Sequence, residues 1–173
     1  MLPRMWITVL LVALVTASAP PAGWSGTWSG SLVNLTPTAP KAPGAPVEII
    51  REIGPWPDQP GACTVWKTTY REGGQTRQVK DYRLCRGRVG DGWTVEEGGG
   101  VSLTARWLGD VLVSSFKYGN LILIDRTEVH GDVMDEDIIT SDDQPATAGI
   151  VTLTPRSIQR LRLTRVRASA RVQ

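Results

Sequence analysis

The sequence predicts an all-β fold, an antiparallel up-and-down barrel of about eight to ten strands. Three observations carry that expectation. Apolar and polar residues alternate in short runs, as from Val101 to Trp107. Gly-first dipeptides, Gly109-Asp110, Gly119-Asn120 and Gly131-Asp132, recur at strand-length intervals and suit two-residue hairpin turns. No segment shows a sustained helical period. Short turns make each neighbour antiparallel, and closing the meander on itself removes its edge strands.

The chain has 173 residues, a length suited to one domain. Nineteen Lys and Arg against 17 Asp and Glu leave a net charge of +2, with no global pull toward nucleic acid. Two cysteines and one histidine are too few for a thiolate zinc site or a multi-His centre, so no metal and no cofactor is expected.

Met1 to Arg4 is basic, Met5 to Val15 is apolar, and Thr16-Ala-Ser-Ala19 offers small residues for cleavage. Residues 1–19 therefore read as a signal peptide of approximate extent, cut at Ala17 or nearby, since Pro20 disfavours a cut directly after Ala19. The apolar run is shorter than the roughly 20 residues of a membrane span. The expected product is secreted or periplasmic and not transmembrane, with residues 20–166 as one barrel domain and 167–173 as a flexible tail. In an oxidising compartment Cys63 and Cys85 should form a disulfide. Asn34-Leu35-Thr36 matches a glycosylation acceptor, but Pro37 follows directly and the match reads as chance.

The strands follow in order. Trp24 to Val33 opens the barrel, and Thr36 to Pro46, with four prolines, is a loop. Val47 to Ile53 is the next strand, and Gly54 to Gly61 is a Pro-rich connection carrying Trp56. Cys63–Tyr70 and Gln78–Cys85 flank Gly73-Gly74-Gln75. Folding symmetrically about Gly74 sets Cys63 opposite Cys85, Trp66 opposite Tyr82 and Lys67 opposite Asp81: a disulfide, an aromatic pair and an ion pair in one register. Alternation places Trp66, Tyr82 and Leu84 on one face, taken as the core side, and Cys63, Val65, Val79 and Cys85 on the other. Trp93–Glu97, Val101–Trp107, Val111–Tyr118, Leu121–His130 and Val133–Thr140 continue the meander. Beyond a polar break from Ser141 to Ala148 come Gly149–Thr154, a short turn around Pro155 to Gln159, and a last strand from Leu161 to Arg167.

Ser25-Gly26-Thr27-Trp28, opening the first strand of an exported meander, resembles the Gly-x-Trp motif that begins lipocalins and the wider calycin group. The resemblance implies a secreted barrel with a cavity for a small ligand. It also implies that Trp28 packs at the closed end beneath an arginine of the last strand, Arg162 or Arg165. A haem-binding variant of such a barrel would use a histidine as proximal ligand, for which His130 is the candidate.

No catalytic constellation is legible. His130 reads as a solvated residue at a strand end, and Ser114, Ser115 and Asp125 match no triad or elbow signature. Asp125, Glu128, Asp132, Asp135, Glu136, Asp137, Asp142 and Asp143 lack calcium-loop spacing and read as a solvated face or loop; alternation separates Glu136 from Asp135 and Asp137. Arg156, Arg160, Arg162, Arg165, Arg167 and Arg171 are expected to balance those acids within the fold. Trp28, Trp66, Tyr82, Trp107 and Phe116 are the candidates for ligand lining or core. The expected function is non-catalytic: holding a small apolar or amphipathic ligand in the barrel. The alternative is a module that binds a protein partner through the Thr36–Pro46 and Gly54–Gly61 loops.

Overall fold

The structure, a computed structural model, describes residues 20–38, 46–88, 92–143 and 153–167. The expected signal peptide lies outside the described residues. Ten strands, β1 Gly26–Leu35, β2 Val47–Ile53, β3 Cys63–Glu72, β4 Gln75–Arg86, β5 Trp93–Gly98, β6 Val101–Leu108, β7 Val111–Tyr118, β8 Leu121–His130, β9 Val133–Asp142 and β10 Thr154–Arg165, form a closed barrel. Each strand pairs antiparallel with its sequence neighbours, and β1 pairs with β10 to close the wall.

The turn chemistry explains the meander. Gly131 adopts a φ of 62°, Asp132 stays at negative φ, and His130 pairs with Val133 across this two-residue turn. Only a residue without Cβ takes that first position at no steric cost. The β3–β4 hairpin has the expected register, Cys63 with Cys85, Trp66 with Tyr82 and Lys67 with Asp81. Its turn is shorter than expected: Gly73 and Gly74 alone connect Glu72 to Gln75, and a bulge at Tyr70/Arg71 restores the symmetric pairing. The Cys63–Cys85 disulfide is formed. Lys67 stands between two acids and bonds Glu52 of β2 at 3.0 Å rather than Asp81. The aromatic face is the inner one: Trp66 and Leu84 are buried, whereas Val65 and Val79 are 39% and 48% exposed.

Several boundaries differ from the expected ones: β4 starts at Gln75 rather than Gln78, β9 runs to Asp142 into the expected polar break, and the last strand ends at Arg165 rather than Arg167. Trp24 and Ser25 precede β1, and Trp24 is buried against Trp56, Trp66 and Trp107 at the barrel's end. At the other end, where the sequence predicts a turn from Pro155 to Gln159, β10 is already extended; a bulge between Pro155 and Ser157 absorbs the proline. Of the expected Gly149–Thr154 strand, residues 149–152 lie outside the described residues, and Thr154 is the first of β10.

The interior is divided lengthwise. At one end Trp24, Trp28, Trp66 and Trp93 are buried with Ile53, Leu84, Met134 and Leu163, and Trp56 and Trp107 pack against them. Trp24 meets Trp107 edge-on with ring centroids 4.7 Å apart and stacks near Trp66 at 6.2 Å. The Trp28 indole donates to the Trp24 carbonyl at 2.9 Å, and Trp56 donates to that of Pro21 at 3.0 Å. Arg165 of β10 completes this plug: its guanidinium carbon lies 4.1 Å from the Trp28 ring centroid, and it donates to the carbonyls of Gly23 and Ser25. Arg162 instead faces outward toward Asp135. Beside the plug, Gly30 lets β1 approach β10, since a Cβ there would lie 2.0 Å from the Arg162 carbonyl oxygen.

Candidate functional site

The opposite half of the barrel is hollow. A cavity of about 140 Å³ opens toward the Gly73-Gly74, Gly98–Gly100 and Gly119-Asn120 turns. Strand alternation sends two kinds of side chain into it. Val95, Leu103, Leu112 and Phe116 of β5 to β7 form an apolar wall, continued by Leu123 and Ile138. Arg51, Thr68, Tyr70, Lys80 and Tyr82 of β2 to β4 face it with polar groups, joined by Asp125, Thr127 and Glu136 of β8 and β9.

The floor is an ion pair. Arg51 occupies the inward position between Ile49 and Ile53, and Glu136 the one between Met134 and Ile138; each is 3% exposed. The Arg51 Nη1 and Nη2 groups donate to Glu136 Oε2 and Oε1 at 2.6 and 3.1 Å. Such a bidentate fork is the geometry that offsets the cost of taking two charges out of water. Burial alone would lower the Arg51 pKa, but the charge and hydrogen bonds of Glu136, with Asp125 and Tyr70, together outweigh it and hold the guanidinium charged. The same guanidinium lies 5.1 Å from the Trp66 ring centroid, where the hollow half meets the tryptophan plug. Thr127 Oγ1 sits 3.4 Å from Glu136 Oε2.

Asp125 is the unbalanced member. Burial first, and the neighbouring Glu136 second, push its carboxyl well above the ordinary carboxylate range, against the pull of Arg51, Lys80 and Thr127. Its Oδ1 is sealed from solvent and has no hydrogen-bond partner among the described residues. Nearer the mouth, the Lys80 ammonium lies 5.6 Å from the Tyr70 ring centroid and 5.9 Å from that of Tyr82. Burial raises the Tyr70 pKa, and burial together with Glu97 pushes the Tyr82 hydroxyl up to about 12, so both phenols remain neutral.

The five aromatic candidates divide between the two halves. Trp66, Tyr82 and Phe116 line the cavity, whereas Trp28 and Trp107 belong to the filled end. The acidic stretch divides as well. Its expected place on a solvated face is corrected for Asp125 and Glu136, which the pleat turns into the barrel because they share parity with Leu123 and Ile138. On the outside, Asp132 pairs with Arg165 and Arg167, Asp135 with Arg162 and Asp137 with Arg160, while Asp142, largely buried at the end of β9, meets Arg156. These C-terminal arginines are balanced within the fold, and Arg171 lies outside the described residues. His130 is exposed at the strand end, 3.4 Å from Glu128. Among the described residues no group of His, Cys, Asp and Glu is placed to hold a metal ion, and no helix is long and apolar enough to cross a membrane.

Arg51, Lys80, Asp125 and Glu136 are the polar cavity residues that the composition hides. Their signal is local: each is a charged residue at the inward parity of an otherwise apolar or aromatic strand face. Comparison of the chain with protein-family models, with curated proteins and with solved structures gives no match, and the site is read from its own geometry.

Proposed function

We propose that the chain is an exported, non-catalytic binding protein that takes a small amphipathic ligand into the open half of its barrel, in the manner of lipocalin-like proteins. The observation that carries this reading is the two-sided cavity, with Phe116, Leu112 and Leu103 on one wall and Arg51, Tyr70, Tyr82 and Asp125 on the other. A wholly apolar guest leaves the polar wall unsatisfied, and a wholly polar one gains nothing from the apolar wall. The 140 Å³ volume is close to the roughly 150 Å³ of an engineered apolar cavity that accepts benzene, so the enclosed part suits a body about one ring in size. The formed disulfide supports an oxidising compartment, and the closed meander with Trp28 beneath Arg165 supports the lipocalin-like design.

The test is a fluorescence titration of the protein, read through Trp66, against one-ring amphipathic compounds, repeated on Ser114→Trp. Saturable quenching should appear in the parent and vanish in the variant, whose indole fills the cavity while its β-type far-UV spectrum persists. No saturable response from any compound, together with a protein partner recovered through the loops, would overturn the reading in favour of an interaction module. The Gly54–Gly61 loop already turns Trp56 inward onto Trp24 and Trp93, which leaves the Thr36–Pro46 segment as its main surface; residues 39–45 lie outside the described residues.

A further inference from the structure

We propose that the ligand's head group is a protonated amine, its ammonium seated against the Asp125 carboxyl and its apolar body against Phe116 and Leu123. The proposal rests on the binding reading above and names the ligand class for the same cavity. Three observations support it.

The first is an unmet acceptor. Asp125 lines the cavity, yet its Oδ1 has neither solvent nor a hydrogen-bond partner among the described residues. A buried acceptor left unpaired is costly, and a ligand donor that draws the carboxyl round, so that Oδ1 turns into the cavity, removes that cost.

The second is the charge balance. Arg51 and Lys80 are the cations lining the cavity; Glu97, Asp125 and Glu136 are the anions. Arg51 is committed to Glu136 through both terminal nitrogens. What remains is the Lys80 ammonium beside Glu97 and a protonated Asp125, so an incoming cation can be matched by ionising Asp125, whereas an incoming anion has no second free cation to meet it. The Arg51 Nε also lacks an acceptor, but an anionic head group reaching it would stand beside both Glu136 and Asp125.

The third is that the mouth already holds an ammonium. Lys80 lies over the Tyr70 and Tyr82 rings, neutral phenols whose faces attract cations. Lys80 makes no ion pair with Asp125 among the described residues, so it leaves that carboxyl open, and its charge at the mouth opposes a second ammonium. The difficulty of ionising Asp125 in the empty barrel fits the same scheme. An ammonium supplies the missing counter-charge, Asp125 gives up its proton, and amine binding strengthens as pH rises. Arg51, Tyr70, Lys80, Tyr82, Glu97 and Glu136 are the other ionisable groups around it, and their net effect enters the same titration.

The experiment is isothermal titration of the full chain with 2-phenylethylammonium, 2-phenylethanol and 3-phenylpropanoate, which share a ring and differ in head group. A charge-assisted hydrogen bond corresponds to roughly tenfold or more in affinity, so the amine should bind at least about tenfold more tightly than the alcohol. Asp125→Asn should erase that difference, the amine falling to the alcohol's affinity in the same variant, and Lys80→Met should strengthen the amine. Equal binding of amine and alcohol, or tightest binding of the carboxylate, overturns the amine assignment and leaves the cavity reading standing. No binding of any of the three overturns both.

Discussion

The two halves of this barrel share the same ten strands and the same pleat, yet one is packed solid and the other is hollow. In the plugged half, Trp107 meets Trp24, Trp56 and Trp93 edge to face, Trp24 stacks near Trp66, and the same cluster holds Trp28, Leu84, Met134 and Leu163. In the open half the same inward positions hold Arg51, Asp125 and Glu136. Large rings fill a barrel's cross-section, while charged groups need partners and room. Stability and the proposed binding thus fall to opposite ends, so that a change at one end should leave the other's task largely intact.

Substitutions test that division, beginning with the plug. Trp28→Ala removes a fully buried ring together with its bond to Trp24 and its stacking with Arg165, and should cost about 3–5 kcal/mol in denaturant unfolding. Cys63→Ser opens a bridge spanning a sequence separation of 22 at the same end; it should free one titratable thiol and cost about 2–4 kcal/mol. Two titratable thiols in the unmodified protein would remove the disulfide altogether. Phe116→Ala, in the half-buried cavity wall, should cost only about 1 kcal/mol yet abolish saturable ligand binding. If Phe116→Ala destabilises as much as Trp28→Ala, the division of labour is wrong.

The smallest expected effect has the opposite sign. The folded-state pKa of Asp125 is raised, so the folded protein holds a proton that the unfolded chain releases. The stability this confers is complete below the unfolded pKa and falls as pH rises toward the folded value. Asp125→Asn should therefore match the parent in acid and exceed it in stability above neutrality, as paired urea titrations at pH 4 and pH 8 would show. A variant less stable than the parent at pH 8 would mean that the carboxylate is already satisfied.

Much of the wall is legible in the sequence, because strand and turn are local properties. Val111–Tyr118 and Leu121–His130 have the bounds that the Gly-first turns dictate. The Cys63–Cys85 hairpin announces its register through symmetric pairs, even though the bulge at Tyr70/Arg71 is silent. The cavity is far less legible. Asp125 and Glu136 lie within a run of acids, and only strand parity separates them from Asp135 and Asp137, which face outward. Arg51 and Glu136 are 85 residues apart, and nothing in either strand names the other. Trp28 and Trp66 look equivalent as residues; which one borders empty space depends on the depth to which Trp24 inserts from outside the wall.

Arg165 also bears on how such a molecule is made. It is the last residue of β10, yet it grips Gly23 and Ser25, and β1 has no second neighbour until β10 is laid beside it. During vectorial synthesis the first strand must wait for all nine other strands, through Arg165, before its second edge is covered. Chains cut short of Arg165 leave both the seam and the plug unmade, and they should surface as degradation products rather than as smaller folded forms.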